Sequence, residues 1–237
     1  MYGHGVGYSG FDFTYLLYIL PGMLLAMAAQ WYVKATVNRY LEVPTSGRRT
    51  GAQIAQELLD AAGIQGVTIE RHAGFLSDHY DPSARAVRLS PDIHDGTSVA
   101  AAGIAAHEVG HVLQHHVGYR LMTVRQKLVG PSRIGSQLSY VVIVAGIGIH
   151  FAGLAWLGVA LFGAVLLFEL VTVPVEINAS MRAGETLRRM NLVTGDEAAG
   201  VRKVLTAAAF TYIAAMIGTL MQLLYFVSIL RRGSDRR

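Results

Sequence analysis

His107-Glu108-Val109-Gly110-His111 is the stretch of this chain whose residue types and spacing can do chemistry. Residues four apart share one face of a helix, so both imidazoles can reach a single Zn²⁺ at about 2.0–2.1 Å. The glutamate beside the first histidine can then reach a water that the metal acidifies, and act as its general base. With nine histidines among 237 residues, such an H-E-x-x-H array arises by chance in about one chain of this size in a hundred. A polar helix face with solvated histidines is the bland alternative. The residues at 100–106 and 109–113 are small or apolar, however, which predicts a buried helix, and buried histidines need partners.

A catalytic zinc takes three protein ligands and leaves one position open. An extension to H-E-x-x-H-x-x-G-x-x-H is excluded, because Gln114 and Val117 occupy the positions of its glycine and third histidine. His115 lies one turn too far along a straight helix to share the ion, and His116 reads as a surface residue. Glu176 is the better third ligand. It ends an apolar run, where a carboxylate is costly unless paired or metal-bound. Glu169 lies two turns deeper on the same face, which suggests orienting a ligand or lining a substrate groove. There is no cysteine, so disulfides, thiolate metal sites and cysteine nucleophiles are all excluded.

The elements that must position these residues are written in the composition. Apolar residues make up 52% of the chain and charged residues 15%, against roughly 25% charged in soluble proteins. Residues 13–33, 134–168 and 204–230 carry no charged side chain, and about 20 apolar residues suffice to cross a bilayer. Disorder and a purely soluble fold are excluded; the chain reads as an integral membrane protein. The middle run is too long for one span, and its glycines suit close helix packing. It reads as a hairpin over 138–151 and 154–175, which makes about four spans. An even number of spans between the H-E-x-x-H helix and Glu176 is what lets the two meet. The first span reads as a retained anchor: Ala26-Met27-Ala28 resembles a cleavage site, but residues 1–12 contain no Lys or Arg.

The expected fold is mainly α with a small β-sheet. Residues 1–33 form a tail and first span, and 34–137 a zincin-like catalytic segment. Residues 138–175 form the hairpin, 176–203 a helical segment opened by the third ligand, and 204–237 the last span and basic tail. Within the catalytic segment, Thr50 and Gln53 form a capping-box pattern for a helix stopped by Gly63. Residues 67–71 and 84–89 alternate as strands on either side of a turn-rich stretch at 77–82. Thr97 or Ser98 can cap a long helix over 99–117, with Gly118 as its stop. Thirteen Lys and Arg flank the spans on the side of the soluble segments and four lie in the tail on the other, which predicts a cytoplasmic catalytic side. A net charge of +4 with no run of five basic residues gives no reason to expect nucleic acid.

Four segments in order, 74–82 (GFLSDHYDP), 87–91 (VRLSP), 98–111 (SVAAAGIAAHEVGH) and 173–180 (VPVEINAS), resemble the YugP-like neutral zinc metallopeptidases of bacteria. More distantly they are similar to the HtpX-type membrane gluzincins. The resemblance implies His107, His111 and Glu176 as zinc ligands, Glu108 as general base, and the strand near 84–89 as an edge that pairs with substrate backbone. Where the HtpX-type pattern has an aspartate after E-x-x-A, this chain has Ser180. A carboxylate orienting a ligand histidine is then missing or supplied elsewhere, with Glu169 and Asp78 as substitutes.

The activity implied is zinc-dependent peptide hydrolysis at the surface of the bacterial inner membrane, on peptides or membrane proteins, in the manner of quality control. His79, Tyr80 and Arg182 are the candidates for stabilising the transition state. A metal transporter or sensor that uses the same residues without proteolysis is the rival, and a catalytically silent scaffold a third reading. The H-E-x-x-H helix lies in a soluble segment, whereas transporters place ligands near the bilayer midplane.

Overall fold

The computed structural model describes residues 13–234. Its elements are α1 (Phe13–Leu41), α2 (Gly51–Ala61), β1 (Thr68–Arg71), β2 (His79–Asp81), β3 (Ala86–Leu89), α3 (Pro91–His94), α4 (Val99–His116), α5 (Arg120–Gly148), α6 (Ala152–Arg189) and α7 (Gly195–Ser234). The chain is mainly helical with one small sheet. Three helices, α1, α6 and α7, are long and apolar enough to cross a membrane. At 1.5 Å per residue the 38 residues of α6 extend about 57 Å, nearly twice the ~30 Å hydrocarbon core. Its charged C-terminal part therefore projects beyond any bilayer it crosses.

Local signals set the helix ends. Thr50 and Gln53 make the reciprocal capping box of α2, and the Ser98 side chain accepts from the Ala101 amide to cap α4. Gly63 and Gly118 follow these helices with φ of 66° and 64°, a left-handed conformation that costs glycine little. α5 and α6 form a hairpin whose turn falls at 149–151, with the Phe151 amide donating to the Gly146 carbonyl. Gly135, Gly146 and Gly158 lie against backbone of the opposite helix, so the pair packs at backbone distance.

α4 is the centre of the fold. Fourteen of its 18 residues are buried, so it stands inside the protein, enclosed by α2, α6, α7 and the sheet. Ile54, Leu58 and Leu59 of α2, Val87 and Leu89 of β3, and Leu187, Val201 and Val204 of α6 and α7 share one core with it. Each such aliphatic side chain contributes about 1.5–3 kcal/mol on burial. The alanines and glycines of α4 let these neighbours approach closely enough to close that core.

Two sequence expectations need correction. The turn-rich stretch at 77–82 contains β2, which pairs antiparallel with β3. Its three residues are too few to show an alternation of their own. The strand expected as the edge, β3, is central: the order is β1-β3-β2, with β1 parallel to β3. The edge next to α4 is β2. The segment bounds expected at 137 and 175 lie within the continuous helices α5 and α6. A change of composition does not end a helix that lacks a stop signal, and α6 runs through Pro174.

Candidate metal centre

α4 presents His107 and His111 on the face that meets α6, where Glu176 is almost fully buried. The Nε2 atoms of His107 and His111 stand 3.2 and 3.4 Å from the same oxygen, Oε2 of Glu176. Their three ligand atoms lie within 4.8 Å of one another, a group that can hold a metal ion. Donors around a tetrahedral zinc with bonds of about 2.0–2.1 Å stand roughly 3.3–3.4 Å apart. The two histidine–carboxylate separations fit that ion, and two imidazoles with one carboxylate are a donor set that zinc accepts.

Hydrogen bonds behind the histidines fix which nitrogen faces the cluster. Nδ1–H of His111 donates to Oε1 of Gln114 at 3.0 Å, which leaves Nε2 as the free donor atom. Gln114 is held in that orientation because its amide nitrogen donates to the Val175 carbonyl and to Asn178 Oδ1. Asn178 Oδ1 also accepts from Nε of Arg182 at 2.8 Å. On the other ligand, Nδ1 of His107 lies 3.1 Å from the Ser180 hydroxyl. Ser180 thus takes the place expected for a carboxylate. Asp78 is occupied with the amide and hydroxyl of Ser90, and Glu169 with Thr219 of α7.

Close approach of α4 and α6 makes these contacts possible. A Cβ on Gly110 would come within 2.7 Å of the Ala179 carbonyl oxygen, so only glycine fits at position 110. Glu108 points from the same helix into the interior. Burial pushes its carboxyl above the ordinary range, and the Glu176 and Asp78 charges act in the same direction, against the lowering influence of the two histidines. That shift moves a carboxylate toward the neutral range where a general base works best. Burial by itself would lower His111, but contact with Glu176 outweighs it and raises the imidazole.

The other expected residues lie in different contacts. Tyr80 places its hydroxyl 2.9 Å from Nδ1 of His115, and His79 turns Nδ1 toward the Ser77 carbonyl. Arg182 acts on the Asn178–Gln114 chain. Two residues that the sequence did not single out stand at the cluster instead. Nη2 of Arg125, on α5, lies 3.3 Å from Oε1 of Glu176, while its Nε is buried without a hydrogen-bond partner. Tyr212, on α7, has Glu176, Glu108 and Arg125 as its charged neighbours. Gln114 and Ser180 carried a local signal, three and four residues from a ligand on the same helix; Arg125 and Tyr212 carried none.

Comparison with known proteins agrees with this geometry. Residues 15–231 match the family described as "Putative neutral zinc metallopeptidase". The chain is 38% identical over 221 residues to the "Putative membrane protease YugP" of Bacillus subtilis (strain 168), covering 93% of this chain and 98% of that protein. No solved structure matches. With its H-E-x-x-H helix and buried glutamate facing each other inside the matched region, the chain belongs to the neutral zinc metallopeptidase family.

Proposed function

We propose that the protein is a multi-pass membrane zinc endopeptidase that hydrolyses peptide bonds at the membrane surface. Its substrates are peptides or membrane proteins, and its setting is the bacterial inner membrane with the catalytic side in the cytoplasm. The observation that carries the reading is that Nε2 of His107 and of His111 stand 3.2 and 3.4 Å from one oxygen of Glu176, in a group that could hold a metal ion. In this reading the α5–α6 hairpin supplies the second and third of four spans, although α5 is apolar only in its second half. The domain layout follows, with a catalytic segment at 34–137 set between the first span and the hairpin.

Bound by these three residues, zinc supplies a Lewis acid that polarises a peptide carbonyl and lowers the pKa of a water. Glu108 removes the proton from the attacking water and delivers it to the nitrogen of the leaving amine. Gln114 holds the His111 imidazole in the required tautomer, and Ser180 supports His107 from its Nδ1 side. Arg125 brings a fixed positive charge to the outer oxygen of Glu176, placed to meet the negative charge that develops on the carbonyl oxygen. The edge strand β2, beside α4, offers free backbone groups for an extended substrate.

The deciding experiment is Glu108→Gln in the full chain, with cleavage of casein and zinc content measured together. Zinc is expected to stay stoichiometric while cleavage falls at least about a hundredfold. Unchanged cleavage would remove Glu108 from the chemistry. A wild-type protein that binds zinc but cleaves nothing would favour the transporter or sensor reading.

A further inference from the structure

A groove of about 1050 Å³ runs between α6 and α7, comparable with the upper end of roughly 300–1,000 Å³ for small-molecule sites. Its lining includes none of His107, Glu108, His111 and Glu176. Ser180 lines it and touches the Nδ1 side of His107, the side turned away from the other ligands. The groove therefore lies behind the metal centre. At one end it is walled by Ile177, Ala209, Phe210 and Ile213, and at the other it reaches Arg188 and Arg202. Ile177 and Met181 on its wall are 40% and 65% exposed.

Both walls are helices long and apolar enough to cross a membrane. The apolar end lies toward the uncharged run 204–230, and the arginine end lies where both helices become polar. Neither Arg188 nor Arg202 has a carboxylate within ion-pair distance among the described residues. Glu185 also borders the groove, so the local charge is +1. An apolar trough that ends in two unpaired guanidinium groups at a membrane edge complements an amphiphile with an anionic head. Guanidinium forks suit phosphate in particular.

We propose that this groove binds an anionic phospholipid, with an acyl chain between α6 and α7 and the phosphate against Arg188 and Arg202. A lipid seated there packs on the helix that carries Glu176 and Ser180, and so supports the metal centre from behind. Binding requires neither zinc nor cleavage, so its failure is distinguishable from failure of the protease reading.

The test uses the full-length protein in nanodiscs of phosphatidylcholine, with and without phosphatidylglycerol. Lipid retained after extraction is read by native mass spectrometry, and the thermal midpoint is recorded in parallel. Phosphatidylglycerol is expected to be retained in preference to phosphatidylcholine and to raise the midpoint. Arg188→Gln with Arg202→Gln should weaken that retention about tenfold or more, since each basic contact near a membrane is worth about a factor of five. Gly184→Trp keeps both arginines and fills the trough, because a Cβ there meets nothing within 4 Å; it too should lose the lipid. Arg120→Gln with Lys127→Gln removes the same charge from exposed positions outside the groove and should change nothing. Equal retention of both lipids, or loss in this control pair as large as in the groove variants, would overturn the proposal. So would retention of phosphatidylglycerol in Gly184→Trp, or a substrate peptide cross-linked in the groove.

Discussion

Arg125 shows what a side chain brings to this centre when no local pattern announces it. Its guanidinium faces the one oxygen of Glu176 that the histidines do not use. That oxygen has no hydrogen bond of good geometry. Fixed donors aimed at developing charge are worth about a hundredfold or more in turnover. Arg125→Gln should therefore lower kcat by about that factor, with KM little changed and zinc content intact. Affinity for a phosphinic peptide, which mimics the tetrahedral transition state, should fall in parallel. If zinc is lost instead, Arg125 serves to hold Glu176, and if kcat stays the same it has no part in the reaction. At this scale the ligand histidines were legible because i and i+4 are neighbours within one helix. The burial cost of a carboxylate pointed to Glu176. His79, Tyr80 and Arg182 were chosen by type alone, and distance along the chain could not say which cation or hydroxyl would reach the cluster.

Between elements, the contact that matters most is α4 against α6. The candidate ligands come from both helices, whose backbones approach closely at Gly110 and Ala179. Gly110→Ala should push the helices apart despite the higher helix propensity of alanine. The expected result is zinc affinity weakened by about tenfold, in line with disturbed ligand support elsewhere. Competition with a chelator would measure it, and circular dichroism should show the helical content unchanged. Unaltered zinc affinity would mean that the α4–α6 distance does not control the site. The sheet teaches a related lesson. Alternation marks β1 and β3 but not the three-residue β2, and the order β1-β3-β2 depends on pairings across a crossover. The edge implied near 84–89 is therefore the central strand β3, and the edge beside α4 is β2.

For the molecule as a whole, the prediction concerns topology. The absence of cysteine makes a single introduced thiol an unambiguous marker. Phe151→Cys places it at the exposed tip of the α5–α6 hairpin, and Asp60→Cys at the exposed end of α2, on the catalytic side. In intact cells, a membrane-impermeant maleimide should label residue 151 from outside and reach residue 60 only after permeabilisation. Labelling of both from the same side would rule out a hairpin that crosses the membrane. Four spans would then reduce to the three helices whose length and apolarity are sufficient by themselves.

The sequence by itself determined the long uncharged apolar runs, the helix that carries His107, Glu108 and His111, and the ends of α2 and α4. These depend on composition, on a four-residue spacing and on caps, all of which act within a few residues. Tertiary structure alone decided which oxygen of Glu176 meets both imidazoles, that Ser180 meets His107, and that Arg125 and Tyr212 complete the surroundings. Those contacts join α4, α5, α6 and α7 across large separations in sequence. Their geometry comes from the close packing of helix backbones, and a linear pattern carries no record of that distance.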